Sequence, residues 1–326
     1  MSVRNKQFNT GQRTQTQFDR VVISVGNLSM GGTGKTPMIE LLIRMLKNEY
    51  QVATISRGYG RKTRGFRRAN TDDTASTIGD EPFQFFKKFG NEIAVSVCEE
   101  RILAIPSLLL DDDSLEVFLL DDAFQHRQAG RDLDIMLTDY NHPFYKDYVL
   151  PTGNLREPRK GAGRADMIVV TKCPADLKSA EKEEVVQSIR AYNAKADIFF
   201  SHIGYLPVVS VFEPSKPMQE IALLTGVAKA QPIADYLEKS YKIMEHLEYP
   251  DHYNFRERDL VDIGKKLKAL ELKTLVTTEK DMVRLLPFRE HPIFKTIDLF
   301  YLPIEFDIDR LKDFKEQLMK VVENVN

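Results

Sequence analysis

Cysteine, tryptophan and long apolar runs are scarce or absent in this sequence. The 326 residues include two cysteines, Cys98 and Cys173, and no tryptophan. Two distant cysteines exclude a disulfide scaffold and a cysteine-rich zinc site, and they are typical of a reducing compartment. No run approaches the roughly 18 apolar residues that span a bilayer, and segment 1–20 lacks the apolar core of a signal peptide. We therefore expect a soluble protein of the cytoplasmic type.

An excess of one charge is also missing. Lysine and arginine total 46, against 48 aspartate and glutamate residues, which gives a formal net charge of -2 at pH 7. A protein whose whole surface coats nucleic acid would be strongly basic. The balance argues against a nucleic-acid partner and leaves a local basic patch open.

Short apolar segments alternate with helical patterns along the first part of the chain. Residues 21–25, 52–56 and 117–120 are typical of buried strands, and residues 36–46 carry apolar side chains at helical spacing. This alternation predicts an α/β fold with a largely parallel sheet and helices on both faces. Ligands of such sheets lie beyond the carboxyl ends of the strands.

A change of pattern predicts a domain boundary near 196–216. Residues 198–205 and 208–212 are rich in β-forming side chains and resemble a two-stranded connector, and a second alternating series begins at residue 221. The length fits about two domains. The predicted division is a first α/β domain over 1–196, a two-stranded linker region over 197–216 and a smaller α/β domain over 217–326.

The strongest motif follows the first predicted strand and opens the first predicted helix. Residues 29–36 read SMGGTGKT, a relaxed form of the phosphate-binding P-loop with Ser29 in place of the usual first glycine. Glycines let backbone N–H groups point at phosphate oxygens, the Lys35 ammonium neutralises phosphates, and the Thr36 hydroxyl holds Mg²⁺. The predicted nucleotide-binding residues are Ser29, Met30, Gly31, Gly32, Thr33, Gly34, Lys35 and Thr36.

Two aspartates end the predicted strand over 117–120. Carboxylates at such a position hold Mg²⁺ or its water shell in P-loop enzymes. Strands also end in aspartate for reasons of turn geometry. After a P-loop, however, Asp121 and Asp122 are predicted metal ligands. A kinase and a nucleotide-dependent switch remain equally compatible with these features.

Further motifs follow in a fixed order along the chain. They are GNLSMGGTGKTP at 26–37, SRGYG at 56–60, GDEP at 79–82, DDAFQH at 121–126, LREP at 155–158, PDH at 250–252 and TEKD at 278–281. This ordered set, spread over essentially the whole chain, resembles the tetraacyldisaccharide 4'-kinase family of the lipid A pathway.

The resemblance implies ATP- and Mg²⁺-dependent phosphorylation of the 4'-hydroxyl of an acylated glucosamine disaccharide 1-phosphate, with lipid IVA as product. It implies a P-loop NTPase-type sheet and a smaller second domain, joined by a two-stranded linker, with the active site in the cleft between them. We expect a monomer at the cytoplasmic face of the inner membrane. The family usually begins with an apolar anchor helix, and residues 3–6 resemble the segment after it. The anchor is absent from this sequence, and two explanations stay open: a truncated start, or a member of the family without the anchor.

The resemblance also assigns roles to single residues. Asp80 would be the general base on the sugar hydroxyl, with His252 as its partner, and Arg156 and Glu157 would lie near the γ-phosphate and Mg²⁺. The catalytic set is thus Asp80, His252, Lys35 and Arg156, and the metal set is Thr36, Asp121, Asp122 and Glu157. The substrate contacts implied are Asn27, Arg57, Tyr59, Glu81, His126 and Arg127.

Structural interpretations of the same residues stay open at this point. Asp80 begins an Asp-Glu-Pro segment that would cap a helix, and His126, Arg127, Arg156 and Glu157 could form ordinary salt bridges of loops. Residues 57–68 include six basic residues and no acidic one. They form a solvated loop, a nucleic-acid contact that the balanced net charge disfavours, or, as the resemblance implies, a contact surface for the substrate's 1-phosphate or anionic headgroups.

Two other functions compete with a lipid kinase. One is a nucleotide-dependent switch. The guanine-binding N-K-x-D motif of such proteins is incomplete here, because Thr171-Lys172-Cys173-Pro174 begins in a similar way but has no aspartate at the fourth position. The other is a soluble sugar or nucleoside kinase on the same scaffold.

Overall fold

The computed structural model describes residues 5, 7–8, 10–227, 229–251 and 253–325, and the chain divides into two compact units. The first unit comprises Met1–Ile203 and Phe306–Asn326, and the second comprises Gly204–Glu305. The strands of the described residues are β1 Val21–Asn27, β2 Val52–Ser56, β3 Arg67–Arg68, β4 Ala94–Val97, β5 Val117–Asp121, β6 Leu133–Asp139, β7 Met167–Thr171, β8 Asp197–Tyr205, β9 Val209–Ser210, β10 Glu220–Thr225, β11 Lys242–Glu248, β12 Thr274–Thr278, β13 Asp298–Leu302 and β14 Ile304–Ile308.

Helices connect most of these strands. They are α1 Lys35–Leu46, α2 Ala75–Ile78, α3 Asp80–Phe89, α4 Arg101–Asp111, α5 Ser179–Arg190, α6 Gln231–Leu237, α7 Glu257–Ala269, α8 Glu279–Leu285 and α9 Leu311–Val325. Short 3-10 turns occupy Phe144–Lys146, Arg159–Arg164, Leu286–Phe288 and Pro292–Lys295. None of the helices within the described ranges combines the length and apolar character that crossing a bilayer requires.

The first unit is built on a nine-stranded sheet in the order β14-β8-β7-β6-β1-β5-β2-β4-β3. The strand β1 is parallel to both neighbours, β5 and β6, and is buried along its whole length. Its alternate residues pack into hydrophobic cores on opposite faces of the sheet: Ile23 in the cluster that contains residues of α1, and Val22 in the cluster that contains residues of α4. The predicted parallel sheet with helices on both faces is confirmed.

The helix α9 belongs to the first unit, although it lies at the far end of the chain. Its buried residues Phe314, Leu318 and Val322 pack in the same core cluster as Ile23 of β1. The sequence-based division placed residues 217–326 in one domain, whereas the structure returns residues 306–326 to the first unit. The apolar face of this amphipathic helix carries no information about which sheet it covers.

The second unit has a five-stranded sheet in the order β11-β10-β12-β13-β9. The strand β9 runs antiparallel to β13, and the other neighbouring pairs are parallel. The sequence suggested a connector in which 198–205 would lie beside 208–212. In the structure β8 pairs within the first sheet and β9 within the second, so the chain leaves the first unit through β8 and returns through β14.

Candidate active site

The P-loop, residues 29–36, leaves the end of β1 and enters the first turn of α1. Gly31 and Gly34 have φ angles of +105° and +89°, values that glycine adopts without the steric penalty of a side chain. A Cβ at Gly34 would lie 2.7 Å from Cζ of Phe306, so only glycine fits there. The first-turn N–H groups of α1 have no partner within the helix, and this makes the loop suited to an anion.

A second segment runs beside the start of the P-loop. Ser29 forms an antiparallel bridge with Leu155, and the Arg156 N–H donates to the carbonyl of Leu28 at 2.7 Å. Successive side chains of an extended segment point to opposite sides. Arg156 and Glu157, which the sequence analysis grouped together, therefore have different surroundings.

The side chains of Lys35, Asp122 and Arg156 form one charge cluster. Arg156 donates to both carboxylate oxygens of Asp122 at 2.9 Å, and Lys35 Nζ lies 3.7 Å from Asp122 Oδ1. Burial alone would raise the pKa of Asp122, but the two cations hold it below its ordinary value. Asp122 thus keeps a lysine and an arginine together at the P-loop.

Asp121 lies beside this cluster in a different state. It is buried, Ser56 Oγ donates to its Oδ2 at 3.2 Å, and its Oδ1 has no hydrogen-bond partner among the described residues. Burial, with the nearby charges of Glu81 and Asp122, raises the pKa of Asp121 to about 7. A buried carboxylate oxygen without a donor is a suitable ligand for a cation.

The hydroxyl of Thr36 extends this group of oxygens. Thr36 Oγ1 donates to Glu81 Oε1 at 3.1 Å, so α1 and α3 meet where Asp121 is buried. In the described part of the chain, no three His, Cys, Asp or Glu side chains converge as a metal-binding group. Mg²⁺ in nucleotide enzymes needs only one or two protein ligands besides phosphate and water. Hydroxyl and carboxylate oxygens at Thr36 and Asp121 fit that requirement.

Glu157 is engaged in contacts of its own. Both carboxylate oxygens bind Arg164, at 2.8 and 3.0 Å, and they also accept from Gln125 at 3.1 Å and from Asn5 at 2.6 Å. Only 1% of Glu157 is exposed. The structure brings Asp121, Asp122 and Thr36 together, and it places Glu157 in a separate buried network.

Asn27 supports the P-loop from inside. Its Nδ2 donates to the hydroxyl of Thr33 at 2.8 Å, and its own carbonyl accepts from Gln125 at 2.7 Å. Asn27 is fully buried. The structure thus gives this predicted substrate contact a loop-supporting position.

Asp80 is the first residue of α3. The N-cap position belongs to Gly79, whose φ of +95° brings it against the loop after β2: a Cβ there would lie 3.1 Å from Cα of Gly58. Asp80 is half-buried and immediately precedes Glu81, the partner of Thr36. His252 lies outside the described residues, so its pairing with Asp80 stays a prediction.

The basic loop over 57–68 is partly neutralised by its neighbours. Three of its arginines form ion pairs: Arg61 with Glu99, Arg67 with Asp73, and Arg68 with Asp112. The exposed members are Arg57, Tyr59, Lys62 and Arg64, and Tyr59 is 88% exposed.

His126 and Arg127 support local structure. His126 Nε2 accepts from the backbone N–H of Arg101 at 3.2 Å, at the start of α4. Arg127 donates to the carbonyl of Asn5 at 3.1 Å and lies over the ring of Phe8. Their predicted contact with substrate stays a prediction.

Three residues near the site, Arg101, Thr171 and Lys172, were given no site role by the sequence. Arg101 is buried and donates to the carbonyl of Asp121 at 3.4 Å. Thr171 and Lys172 contact the P-loop directly. The only available signal concerned Thr171 and Lys172, which follow a strand in the segment that begins like a guanine-binding N-K-x-D motif.

Comparisons with known proteins match this chain along its length. The sequence profile of the tetraacyldisaccharide-1-P 4'-kinase family matches residues 1–323. The tetraacyldisaccharide 4'-kinase of Flavobacterium psychrophilum is 44% identical and covers 99% of this chain and 93% of its own length. The enzyme of the same name from Bacteroides fragilis (strain ATCC 25285) is 38% identical, with 94% and 85% covered.

A solved structure gives the same relationship. A crystal structure of LpxK from Aquifex aeolicus in complex with ATP has a TM-score of 0.75 and 28% sequence identity, and the match covers 98% of this chain and 94% of that one. The resemblance expected from the ordered motifs is confirmed. This chain belongs to the tetraacyldisaccharide-1-P 4'-kinase family.

Proposed function

We propose that this chain transfers the γ-phosphate of ATP to the 4'-hydroxyl of a tetraacyldisaccharide 1-phosphate, giving lipid IVA in lipid A biosynthesis. The observation that carries the proposal is the charge cluster of Lys35, Asp122 and Arg156 at a P-loop, in a chain that matches the kinase family over residues 1–323. The enzyme is then a phosphotransferase with an alcohol group as acceptor.

Positioning and charge stabilisation supply most of the catalysis in phosphoryl transfer. The backbone N–H groups of the P-loop bind the ATP phosphates. Lys35 and Arg156 stabilise the charge that spreads over the transferring oxygens. Asp122 supports this role because it keeps both cations in one place before the nucleotide arrives, which reduces the cost of organising them.

Thr36 and Asp121 are the proposed holders of Mg²⁺, with Glu81 as the neighbour that orients Thr36. When bound, Mg²⁺ neutralises negative charge on the phosphate oxygens. The support in this chain is the buried Asp121 Oδ1 that has no donor among the described residues. Asp122 and Glu157, also predicted as ligands, have cationic partners that account for their carboxylates.

Asp80 is the proposed general base. Its carboxylate accepts the proton of the 4'-hydroxyl as the oxygen attacks phosphorus and ADP leaves. The pairing of His252 with this carboxylate stays a prediction from the sequence. The position of Asp80 next to Glu81, at the helix start that meets Thr36, supports this assignment.

The acceptor is an anionic lipid, so we propose that the chain works at the cytoplasmic face of the inner membrane. The exposed side chains of Arg57, Tyr59, Lys62 and Arg64 are the proposed contacts for the 1-phosphate and the headgroups. Each basic residue near an anionic surface contributes about 1 kcal/mol of binding free energy.

The test supplies the purified protein with Mg²⁺ and ATP labelled in the γ-phosphate. The acceptor is the acylated disaccharide 1-phosphate, a deacylated sugar, or none. Labelled product with the acylated disaccharide 1-phosphate alone is the expected result. Equal transfer to the deacylated sugar would identify a soluble sugar kinase. ATP hydrolysis at the same rate with and without an acceptor would identify a nucleotide switch. Lys35→Ala serves as the control for a contaminating kinase, because it should lower the signal of this protein and leave that of a contaminant unchanged.

A further inference from the structure

The segment after β7 contacts the P-loop through two successive residues. Thr171 Oγ1 lies 2.9 Å from the carbonyl of Thr33, and 3.3 Å from that of Thr138. Lys172 Nζ donates to the carbonyl of Gly32 and, at 2.7 Å, to Asp139 Oδ2. Two neighbouring carbonyls of the P-loop are thus held from one strand end.

The position of Lys172 is itself fixed by its surroundings. Its φ is +57°, a left-handed conformation that is unfavourable for a residue with a side chain and is held only where neighbours impose it. Asp139 at the end of β6 accepts from the N–H of Asn141 at 2.8 Å as well as from Lys172. Burial alone would raise the pKa of Asp139, but Lys172 lowers it, so the carboxylate is charged.

The carbonyls of the P-loop determine where its N–H groups point. In a trans peptide the C=O and the following N–H point in opposite directions. A hydrogen bond to the Gly32 carbonyl therefore orients the N–H of Thr33, and one to the Thr33 carbonyl orients the N–H of Gly34. These two N–H groups belong to the loop that binds phosphate.

The P-loop needs such support because it is rich in glycine. Added Cβ atoms at Gly31 and Gly32 would meet nothing within 4 Å, so side-chain packing does not restrain the loop there. A flexible loop loses conformational freedom when it binds a ligand, and this weakens affinity. Contacts that restrain the loop beforehand remove that loss.

We infer that Thr171, Lys172 and Asp139 are positioning residues for ATP: they hold the carbonyls of Gly32 and Thr33 so that the P-loop is preorganised for phosphate. This inference rests on the proposed function, since it assumes that the P-loop binds ATP. It also gives a role to the segment 171–174, which begins like a guanine-binding N-K-x-D motif but has Pro174 in place of the final aspartate.

The experiment compares Lys172→Met with a matched control, Lys182→Met, in the full chain. Lys182 also forms an ion pair, with Asp309 at 2.8 Å, and its side chain is 33% exposed against 35% for Lys172. Calorimetry with Mg·ATP and steady-state kinetics are measured for both. We expect Lys172→Met to raise the Kd and KM for ATP about tenfold with a much smaller fall in kcat. Lys182→Met should leave the Kd and KM for ATP unchanged.

Two further variants separate positioning from folding. Lys172→Arg keeps a cation that can donate to both partners, and it should restore most of the ATP affinity. Thr171→Val removes only the hydroxyl and should raise the Kd about threefold. Hydrogen exchange of the peptide covering 28–36 should be faster in ligand-free Lys172→Met than in Lys182→Met.

The opposite results are equally clear. An ATP Kd for Lys172→Met and Thr171→Val within twofold of the wild-type value would overturn the inference, even with a lower melting temperature, because the contacts would then serve stability alone. A wild-type protein that binds no ATP would instead overturn the proposed function, and the inference with it.

Discussion

The two units each bury an aspartate at the carboxyl end of a parallel sheet, and the two carboxylates differ. In the second unit, Asp281 accepts from the Gly226 N–H at 2.7 Å, from the Thr278 hydroxyl at 2.7 Å and from Arg284 at 3.1 Å. In the first unit, Asp121 accepts from Ser56 at 3.2 Å through Oδ2, and Oδ1 has no partner in the described part of the chain.

This difference distinguishes a structural carboxylate, Asp281, from the proposed Mg²⁺ ligand, Asp121. A buried charge is stable when donors and a cation surround it, as they do for Asp281. Around Asp121, burial together with the neighbouring carboxylates of Glu81 and Asp122 instead raises the pKa to about 7. The completed network ties β10 to α8, and the incomplete one lies beside the P-loop.

The largest effect is expected for Asp80, and it tests whether the first unit contains the general base. Asp80→Ala should lower kcat by about 10²- to 10⁴-fold, since that is the typical contribution of a general base. The ATP affinity should change little, because Asp80 acts on the acceptor. Rate measurements at saturating ATP, together with ATP binding, check this result.

Lys35→Ala provides the contrast to Asp80→Ala. It should lower both ATP affinity and turnover, since Lys35 neutralises phosphate charge. Asp80→Ala with more than a tenth of wild-type turnover would remove Asp80 from the role of base. Unchanged affinity and turnover in Lys35→Ala would show that the P-loop assignment is wrong.

Asp281→Ala should lower the free energy of unfolding by about 3–5 kcal/mol, because it removes the buried carboxylate that accepts from Arg284, Gly226 and Thr278. Denaturant unfolding measures the loss. The matched change Asp281→Asn keeps a polar group of the same shape and should cost less. A loss below 1 kcal/mol for Asp281→Ala would show that the network in the second unit is not structural.

Asp121→Asn should have the opposite effect on stability. The folded-state pKa of Asp121, about 7, lies above the unfolded value near 3.9, so wild-type stability falls as the pH rises from about 4 to about 7. The asparagine variant lacks this penalty. Its gain over wild type should grow between pH 5 and pH 8 by on the order of 2 kcal/mol, measured by unfolding without nucleotide or Mg²⁺.

The same variant should lose Mg²⁺-dependent transfer. Stability and activity would therefore move in opposite directions at Asp121, whereas Asp281→Asn should affect stability first. A gain that is the same at pH 5 and pH 8 would contradict the raised pKa.

Glu157→Gln should have the smallest effect on the reaction. It keeps the shape but weakens the ion pair with Arg164, and we expect a loss of about 1–3 kcal/mol in the free energy of unfolding. The Mg²⁺ concentration needed for half-maximal activity should stay unchanged. A large increase in that concentration would restore Glu157 as a metal ligand.

The sequence predicted the parts of this site that depend on consecutive residues. The P-loop could be recognised because its glycines, Lys35 and Thr36 follow a strand and begin a helix within one segment. The position of Asp121 and Asp122 at the end of an apolar strand was predicted in the same way, and their role as metal ligands stays a prediction.

Features that depend on distant partners could not be read from the sequence. Arg156 and Glu157 are adjacent in the chain, and only the pairing of Arg156 with Leu28 shows that they face different surroundings. His126 is accounted for by the N–H of Arg101. The contact of Lys172 with the Gly32 carbonyl likewise joins two loops that are far apart in the chain.

The return of the chain to its first unit bears on how the protein matures during synthesis. Residues 306–326 leave the ribosome only after the whole of Gly204–Glu305, yet they supply Phe306 against Gly34 and the α9 side chains that cover β1. A nascent chain that stops at residue 305 has an open apolar face behind its phosphate loop. We therefore expect a chain that ends at residue 305 to bind ATP more weakly than the full chain, because it lacks Phe306 and the α9 side chains.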